Sequence, residues 1–451
     1  MLYETLFQKI FFPFVNKFKG RKTLHYYQAY SANELKNAEE LKTTQFRKLI
    51  KLLQHCQMNV PYYKKEWKNI GFDWKDVNTL NDYSQIPILT KSDIRENYDL
   101  LVAENFRGKS LSKSTGGSTG QPLKFEFSTE SNERRTAVMM RGYAWAGYTP
   151  GSKSLHLWGG EIGQVSKIRQ LKIALYHAFY GRYMLNSFNM TNNNREDYID
   201  KINKHCPKVI VSYVAPLVML SDYILEHQIS VWSPESIITG AEPLLKFQRE
   251  KIEKAFRCEV FNTYGSREFM LIAAECNQHV GLHVNIDHLV VEICRNGIPI
   301  ATDEVGDIVI TDLHNYAMPF LRYEIGDMAS LSSNQACECG RSFPLLNNIE
   351  GRKLDVIRTP DGRTVPGEFF PHLMKDIEGI ERFQVIQEKI NQLCINYIAN
   401  EAFNEANLSK VRKAIAELMG HELDVVYKKV NDIPLTLTGK HRVTISKLPN
   451  H

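Results

Sequence analysis

The feature that most constrains this chain is an alternation of short apolar segments and longer amphipathic segments between residues 207 and 261. The apolar segments have the length of buried strands, and the others have helical length and spacing: strands 209–211, 237–238 and 260–261, helices 217–226 and 244–255. Strands that alternate with helices form a mostly parallel sheet with helices on its faces. The sequence therefore predicts an α/β fold.

The regions on either side follow other patterns. Upstream, apolar residues at three- and four-residue spacing predict a helix from about residue 30 to 58, and Thr90 with Asp93 marks the start of another. Downstream, the apolar segments 288–294 and 307–312 are separated by turns. That pattern predicts a β-rich, more antiparallel region after the parallel sheet.

The last hundred residues predict a compact unit of another kind. Residues 383–386 and 393–398 read as paired strands, and 423–427 as a further strand. Between them lies a helical apolar stripe that Gly420 can cap. The expected unit is a small α+β domain.

A chain of 451 residues is longer than one hydrophobic core usually organises, so several domains are expected. We predict an N-terminal helical region at 1–85 that packs on a large domain at 86–351. The large domain combines mostly parallel sheets flanked by helices with the β-rich region. Residues 352–451 are expected to form a small C-terminal domain.

Charge and cysteine content narrow the class of protein. The net charge of +5 suits a polyanion such as ATP but gives no basic stripe with interleaved aromatics, so no nucleic-acid partner is expected. Eight cysteines in this length do not make a disulfide scaffold, and neither a secretory signal nor an apolar run of about 20 residues is found. These features predict a cytoplasmic protein.

The first 22 residues interleave aromatic and aliphatic side chains with lysine and arginine. Such a stretch can lie on the inner face of an anionic membrane as a peripheral contact. The alternative is a helix packed on its own protein. Pro13 argues against one simple helix through this stretch.

A glycine- and hydroxyl-rich stretch, STGGSTGQP, spans residues 114–122. Glycines such as Gly120 let the backbone approach an anion, and Ser118 and Thr119 add hydroxyl donors. The stretch can therefore hold ATP phosphates, although a flexible turn is the alternative. It is not a Walker A loop, because the GK[ST] ending is missing.

Three further segments carry charged residues suited to nucleotide chemistry. In TYGSRE (263–268), after a predicted strand, Tyr264 can stack on a base and Glu268 can hold Mg²⁺. In RYEIGD (322–327), Asp327 can accept hydrogen bonds from ribose hydroxyls, and in LTLTGK (435–440), Lys440 can neutralise charge during phosphate displacement. Each segment alone also fits a solvated turn.

In this order, with GRKLD (351–355) before the last, the segments resemble the adenylate-forming superfamily of acyl- and aryl-CoA ligases. The forms TGGSTGQP, TGAEP (239–243) and CECGR (337–341) are closer to the phenylacetate–CoA ligase branch. Within that branch the sequence is most similar to the CapK-like group associated with polysaccharide biosynthesis. The resemblance covers residues from about 40 to the end.

The resemblance implies a set of residues that bind ATP: Ser118, Thr119 and Gly120 at the phosphates, Ala241, Glu242 and Pro243 beside the adenine, Tyr264, Gly265 and Ser266 against the nucleotide, Asp327 at the ribose and Arg352 in support. It also implies catalytic roles for Glu268, which would serve Mg²⁺, and for Lys440, which would bridge the carboxylate and the α-phosphate. The resemblance further implies that the small α+β C-terminal domain is mobile and that Asp355 sits at its hinge. Gln121 departs from the lysine that is common in the superfamily's loop, so its role is open.

The implied reaction joins a carboxylic acid to AMP, releases pyrophosphate, and passes the acyl group to an acceptor. The acceptor is an amine of an amino acid or amino sugar in surface-polysaccharide synthesis, or the thiol of CoA. The alternatives are an aryl- or acyl-CoA synthetase like phenylacetate–CoA ligase, and a non-catalytic nucleotide-binding protein. Glu268, Asp327 and Lys440 together argue against the last.

Four residues form a candidate zinc site. Cys276 and His283 are followed by the pair Cys337 and Cys339, and three thiolates with one imidazole make a closed tetrahedral site of structural type. His279 is a competing ligand, and scattered buried cysteines are the alternative. Some proteins of the branch that the chain resembles carry such a zinc.

A candidate acyl pocket falls between the phosphate loop and the TGAEP segment. Its residues are His156, Trp158, Asn186, Phe188 and Tyr213. The alternative is that these are ordinary core aromatics and loop residues.

Overall fold

The computed structural model describes residues 2–115, 123–159, 167–191, 193–334, 336–352, 357–360, 364–365, 369–374, 377–420, 423–434 and 442–448. The chain divides into two compact units. The large unit comprises Met1–Ile325 and Ala329–Ile349, and the small unit comprises Gly326–Met328 and Glu350–His451.

The helices of the described residues are α1 (Leu2–Leu6), α2 (Phe12–Phe18), α3 (Thr23–Ala32), α4 (Ala38–Asn59), α5 (Pro61–Ile70), α6 (Leu80–Tyr83), α7 (Lys91–Glu96), α8 (Tyr98–Leu101), α9 (Thr129–Ala144), α10 (Lys167–Phe179), α11 (Arg195–His205), α12 (Val214–Glu226), α13 (Lys246–Phe256), α14 (Phe369–Met374) and α15 (Leu408–Met419). No helix in this part of the chain combines the length and the apolarity that crossing a bilayer requires.

The strands of the described residues are β1 (Leu111–Ser114), β2 (Lys124–Phe127), β3 (Ser154–Trp158), β4 (Arg182–Asn186), β5 (Val209–Ser212), β6 (Ser236–Thr239), β7 (Glu259–Ser266), β8 (Met270–Glu275), β9 (Leu282–Val284), β10 (Leu289–Arg295), β11 (Ile298–Pro299), β12 (Gly306–Asp312), β13 (Tyr323–Leu331), β14 (Leu345–Arg352), β15 (Ile357–Arg358), β16 (Thr364–Val365), β17 (Ile380–Lys389), β18 (Gln392–Ala399), β19 (Asp424–Lys429) and β20 (Thr444–Ser446).

A twelve-stranded sheet organises the large unit, in the order β11-β10-β12-β13-β14-β9-β8-β7-β6-β5-β3-β4. Strands β4, β3, β5, β6 and β7 pair in parallel, whereas β7, β8 and β9 pair antiparallel. This confirms the predicted α/β class and the change to antiparallel pairing. The prediction that the alternation begins at residue 207 was wrong, since β3, α10 and β4 precede it.

In the N-terminal half, one helix prediction from local sequence is confirmed and another is wrong. Thr90 and Asp93 form the expected capping box at the start of α7. The single helix predicted at 30–58 was wrong, because a turn of 3₁₀ helix at Asn33–Leu35 follows α3 and a second capping box at Asn37 starts α4. Buried residues of α4 and α5, such as Leu49 and Trp67, share one core with β8–β10 and β12.

Pro13 does not break the N-terminal segment. A turn of π-helix at Phe7–Phe11 joins α1 to α2, so the helical path runs from Leu2 to Phe18. Pro13 is the second residue of α2, which directly follows this π-helical turn, so the change in hydrogen-bond spacing falls next to the residue that cannot donate.

The small unit has its own sheet and core. Strands β17 and β18 pair, as predicted, and they run antiparallel, with β20 parallel to β17 and β19 parallel to β18. Buried Val411 and Ile415 of α15 share a core with Val385 and Ile395 of the two central strands. Gly420 ends α15 at a positive φ of 89°.

Candidate active site

The order of the parallel strands locates a crevice for ligands. From β3 the chain passes through α10 to β4 at the sheet edge, and from β5 it passes through α12 to β6 on the opposite side. The connections therefore leave β3 and β5 in opposite directions. In open α/β sheets such a switch point opens a crevice at the carboxyl ends of the strands, where ligands bind.

Two aromatic side chains of the predicted acyl pocket meet at this switch point. Trp158 ends β3 and Tyr213 follows β5, and their ring centroids lie 4.2 Å apart with the planes 30° from parallel. Tyr213 is buried, and burial raises the pKa of its hydroxyl. The pair gives the crevice a rigid apolar wall beside the strand ends.

The other predicted pocket residues lie close to these strands but in different roles. His156 contacts the Tyr148 hydroxyl at 3.1 Å, and burial lowers its pKa to about 3, so it is a neutral interior group. Asn186 ends β4, and its carbonyl accepts the Tyr198 hydroxyl at 2.7 Å. The side chain of Phe188 lies outside the described residues.

The TGAEP turn after β6 is held against the switch point. Ala241 has a left-handed backbone with φ of 65°, and the next residue, Glu242, accepts the Ala215 amide at 2.7 Å. Ala215 lies in the first turn of α12, a helix that begins directly after Tyr213. The Glu242 carboxylate therefore also complements the positive end of that helix. The sequence did not reveal this capping role of Glu242. Pro243 follows in the same turn.

The sequence placed the TYGSRE segment after a strand, but most of the segment continues that strand. Tyr264, Gly265 and Ser266 lie within β7, whose parallel pairing with β6 ends at Asn262 and whose remainder pairs with β8. Gly265 lies at a register shift where a Cβ atom would collide with the carbonyl oxygen of Met270, so a side chain has no room there. Tyr264 is buried.

Contacts from the same segment reach the start of the phosphate loop. The Arg267 guanidinium donates to the Ser114 carbonyl at 3.0 Å. Thr115 and Leu123 pair with each other across the base of the loop, through Thr115 N to Leu123 O and Leu123 N to Thr115 Oγ1, both 2.9 Å. Residues 116–122, with Ser118, Thr119, Gly120 and Gln121, lie outside the described residues. Their anchors nevertheless lie beside the TYGSRE segment.

Glu268 is buried next to this anchor. Its carboxylate accepts the Tyr323 hydroxyl at 3.1 Å. A carboxylate oriented by a neighbouring hydroxyl donor offers oxygen ligands of the kind that Mg²⁺ prefers.

Arg322, which the sequence suggested as a solvated charge, is a buried clamp. Its guanidinium pairs with Glu292 and donates to the carbonyls of Ile86, at 2.7 Å, and Gly297, at 2.8 Å. Its backbone adopts a left-handed φ of 48°. The clamp therefore fixes the start of β13, where Tyr323 reaches Glu268. Composition alone cannot distinguish such an arginine from a surface one.

The remaining predicted nucleotide residues belong to the small unit. Asp327 lies in β13 with an intermediate exposure, and Arg352 ends β14, with its side chain outside the described residues. Lys440 and Asp355 also lie outside the described residues. Their roles stay predictions from the resemblance.

The four predicted zinc ligands come together in the large unit. The ligand atoms of Cys276, His283, Cys337 and Cys339 all lie within 4.8 Å of one another. The Cys276 and Cys337 sulfurs are 3.6 Å apart, close to the roughly 3.8 Å expected for two thiolates bound about 2.3 Å from one tetrahedral zinc. The rival His279 instead contacts Glu275 at 3.2 Å.

The imidazole of His283 is oriented as a zinc ligand requires. Its Nδ1 lies 3.1 Å from the Phe343 carbonyl, which favours a proton on Nδ1 and leaves Nε2, 3.3 Å from the Cys339 sulfur, free to bind metal. Arg341, two residues after the ligand Cys339, bonds Glu34 at 2.8 Å. The site thus joins the loop before β14 to β8, β9 and the N-terminal helical region.

Comparisons with known proteins agree with this architecture. Residues 357–447 match the model of the CapK C-terminal domain. The chain is 25% identical to the protein CapK of Staphylococcus aureus over 433 residues, 95% of this chain and 94% of that one. It is 26% identical over 361 residues to a phenylacetate-coenzyme A ligase of Thermus thermophilus, covering 77% of this chain and 78% of the ligase.

Among solved structures, 2-hydroxyisobutyryl-CoA ligase in its postadenylation state, in complex with R3-HIB-AMP, shares the fold. The TM-score is 0.73 at 18% identity, over 92% of this chain and 91% of that chain. Fold and relatives together identify an AMP-forming carboxylate ligase similar to the adenylate-forming superfamily. The chain is similar to CapK along nearly its whole length and to the phenylacetate-coenzyme A ligases over about three quarters of it.

Proposed function

We propose that this ligase activates a carboxylic acid as acyl-AMP and transfers the acyl group to the amine of an amino acid or amino sugar during surface-polysaccharide synthesis. The observation that carries the adenylation site is the meeting of Trp158, Tyr213 and the TGAEP turn at the β3/β5 switch point. The similarity to CapK along nearly the whole chain supports the polysaccharide context.

In the first half-reaction, a carboxylate oxygen of the acid attacks the α-phosphorus of ATP, and the bond to the β-phosphate breaks as pyrophosphate leaves. The aromatic pair Trp158 and Tyr213 would hold the acid's body against the strand ends. Loop amides and hydroxyls at Ser118, Thr119 and Gly120 would bind the phosphates, with Lys440 neutralising the developing charge. Glu268 would hold Mg²⁺, which lowers the charge repulsion on the leaving pyrophosphate.

In the second half-reaction, the acceptor nitrogen attacks the acyl carbon, AMP leaves with the bonding electrons, and the amine proton passes to solvent. Nothing in this step requires a thiol. Transfer to CoA is the second candidate, because the phenylacetate-coenzyme A ligases match over about three quarters of the chain.

We further propose that Cys276, His283, Cys337 and Cys339 hold a structural zinc. Four protein ligands close the coordination sphere and leave no position for water or substrate. The metal would stabilise the loop between β13 and β14 without entering the reaction.

Acceptor choice is tested by product analysis. The protein is incubated with ATP, Mg²⁺ and a carboxylic acid that it activates, together with CoA, an amino acid or a nucleotide-linked amino sugar. The products are then identified by mass spectrometry. Amide formation accompanied by faster AMP release supports the proposal. Accumulation of an acyl-CoA thioester with no amide would establish the alternative.

A further inference from the structure

The N-terminal helical segment, residues 2–18, docks on the large unit through both polar and aromatic side chains. Glu4 accepts hydrogen bonds from the hydroxyls of Thr149, at 2.6 Å, and Ser152, at 2.7 Å. Phe7 is fully buried against Gly151, whose positive φ and lack of a side chain admit the ring. These contacts fix which side of the segment faces outward.

The outward side is aromatic. Phe14 and Phe18 are 66% and 80% exposed and stack on each other at 6.2 Å, and Ile10 and Phe11 are exposed beside them. A surface helix ordinarily turns such side chains inward and presents its polar residues to water. Here Phe7 and Phe12 already fill the protein-facing side, and further aromatic side chains stay exposed on the outward side.

Helix α10 presents a second apolar stripe. Ile168, Leu171 and Leu175 follow helical spacing and are 71%, 61% and 61% exposed. Phe179 continues the stripe by one turn, and its ring centroid lies 5.3 Å from that of Phe7 and 6.4 Å from that of Phe11. The two stripes therefore adjoin and form one exposed apolar surface in the large unit. We call it the N-terminal/α10 surface.

The charges around this surface select its partner. Residues 1–22 carry five basic side chains, at Lys9, Lys17, Lys19, Arg21 and Lys22. They carry one acidic side chain, Glu4, which bonds the protein itself. Helix α10 contains no Asp or Glu, and Lys172 is exposed on it. Apolar aromatic stripes flanked by positive charge match the interface of an anionic bilayer, where rings enter the headgroup region and lysines meet phosphates.

We propose that the N-terminal/α10 surface docks the protein on a bilayer that carries anionic phospholipid. Both elements contribute: residues 2–18 supply rings and charge, and α10 supplies a second apolar stripe. This inference is independent of the acceptor proposed above. It extends the contact expected for residues 1–22 to a helix more than a hundred residues later in the chain.

Flotation of the full-length protein with vesicles tests the proposal. One set contains phosphatidylcholine alone and the other adds phosphatidylglycerol. We expect binding to the anionic set only, reduced by on the order of tenfold in Phe14→Ser/Phe18→Ser and in Lys17→Glu/Lys19→Glu. Leu171→Ser/Leu175→Ser should weaken binding to a similar degree.

Ile298→Ser is the matched control, because Ile298 is 68% exposed on β11, at the opposite edge of the twelve-stranded sheet from β4. It should bind as the unchanged protein does. Circular-dichroism melting checks that each variant is folded, and all changed residues are exposed. Absence of binding to anionic vesicles, or full binding by the folded α10 variant, would overturn the proposal.

Discussion

At the scale of single residues, buried charges hold the large unit together around α9. Arg141 and Asp287 are fully buried and bond at 2.6 Å, and Arg135 and Asp312 pair at 2.9 Å nearby. Burial alone would raise the pKa of Asp287, but the Arg141 guanidinium holds it below its ordinary value. Both partners are therefore charged in the folded protein.

Removing one partner of the Arg141–Asp287 ion pair should destabilise the folded protein. Arg141→Met leaves the Asp287 carboxylate buried without its cation, and we expect a loss of about 3–5 kcal/mol in the free energy of unfolding. Urea denaturation followed by circular dichroism measures it. Arg295→Met, at an exposed pair with Glu304, is the control and should cost under about 1 kcal/mol. Equal losses in the two variants would show that the buried pair is not a major support.

The same pair predicts a dependence on acid. Because the folded-state pKa of Asp287 is lowered, its stabilising contribution is complete above the ordinary value of about 3.9 and is lost as the pH falls through the lowered value. Unfolding free energy should therefore decline more steeply below about pH 4 in the unchanged protein than in Asp287→Asn. Parallel acid slopes for the two proteins would contradict this.

The aromatic pair at the switch point predicts substrate selectivity. Trp158→Ala removes the wall that Tyr213 packs against, so the KM for the activated acid should rise about tenfold or more, with a smaller change in kcat. Trp232→Ala provides a matched control, since Trp232 is a half-exposed indole that bonds the Pro207 carbonyl. An unchanged KM in Trp158→Ala would place the acid elsewhere.

At the scale of elements, the sequence predicted what is locally encoded. The central strands β5 and β6 are buried throughout and read as apolar runs, and the Thr90–Asp93 capping box is visible in four residues. Strands β3 and β4 were not predicted, because polar residues interrupt them and β4 is an edge strand with an exposed side. Its pattern makes sense only once its neighbours are known.

Some features of the candidate site were likewise predictable from local sequence, and others were not. The cysteine and histidine spacing pointed to a metal cluster that the fold assembles from β9 and two separate loops. The capping role of Glu242 and the clamp at Arg322 depend on partners 27 and 30 residues away, so no local pattern predicts them. The position of the TGAEP turn at the switch point likewise follows from strand order.

The metal cluster has a direct test. Protein expressed with zinc should contain the metal by elemental analysis, and Cys337→Ser/Cys339→Ser should lose it with a fall in melting temperature of several degrees. Cys206→Ser, in the same unit but with its sulfur bonded to the Asn203 carbonyl, should keep its metal. Metal-free protein that melts at the same temperature as the zinc-loaded form would exclude a stabilising zinc.

At the scale of the whole molecule, two units with separate cores carry different parts of the predicted machinery. The crevice, Glu268 and the anchors of the phosphate loop lie in the large unit, whereas Asp327, Arg352 and Lys440 belong to the small one. The buried core residues of each unit include residues of that unit's own sheet.

The most direct test of the central claim is ATP–pyrophosphate exchange by purified protein with Mg²⁺, across aryl acids, fatty acids, amino acids and uronic acids. We predict exchange that depends on one class of acid. It should fall by on the order of a hundredfold or more in Lys440→Ala. It should persist in Lys447→Ala, which removes an exposed small-unit lysine bonded to Glu388. Exchange in Lys440→Ala equal to that of the unchanged protein, or ATP binding without exchange for any acid, would contradict the account.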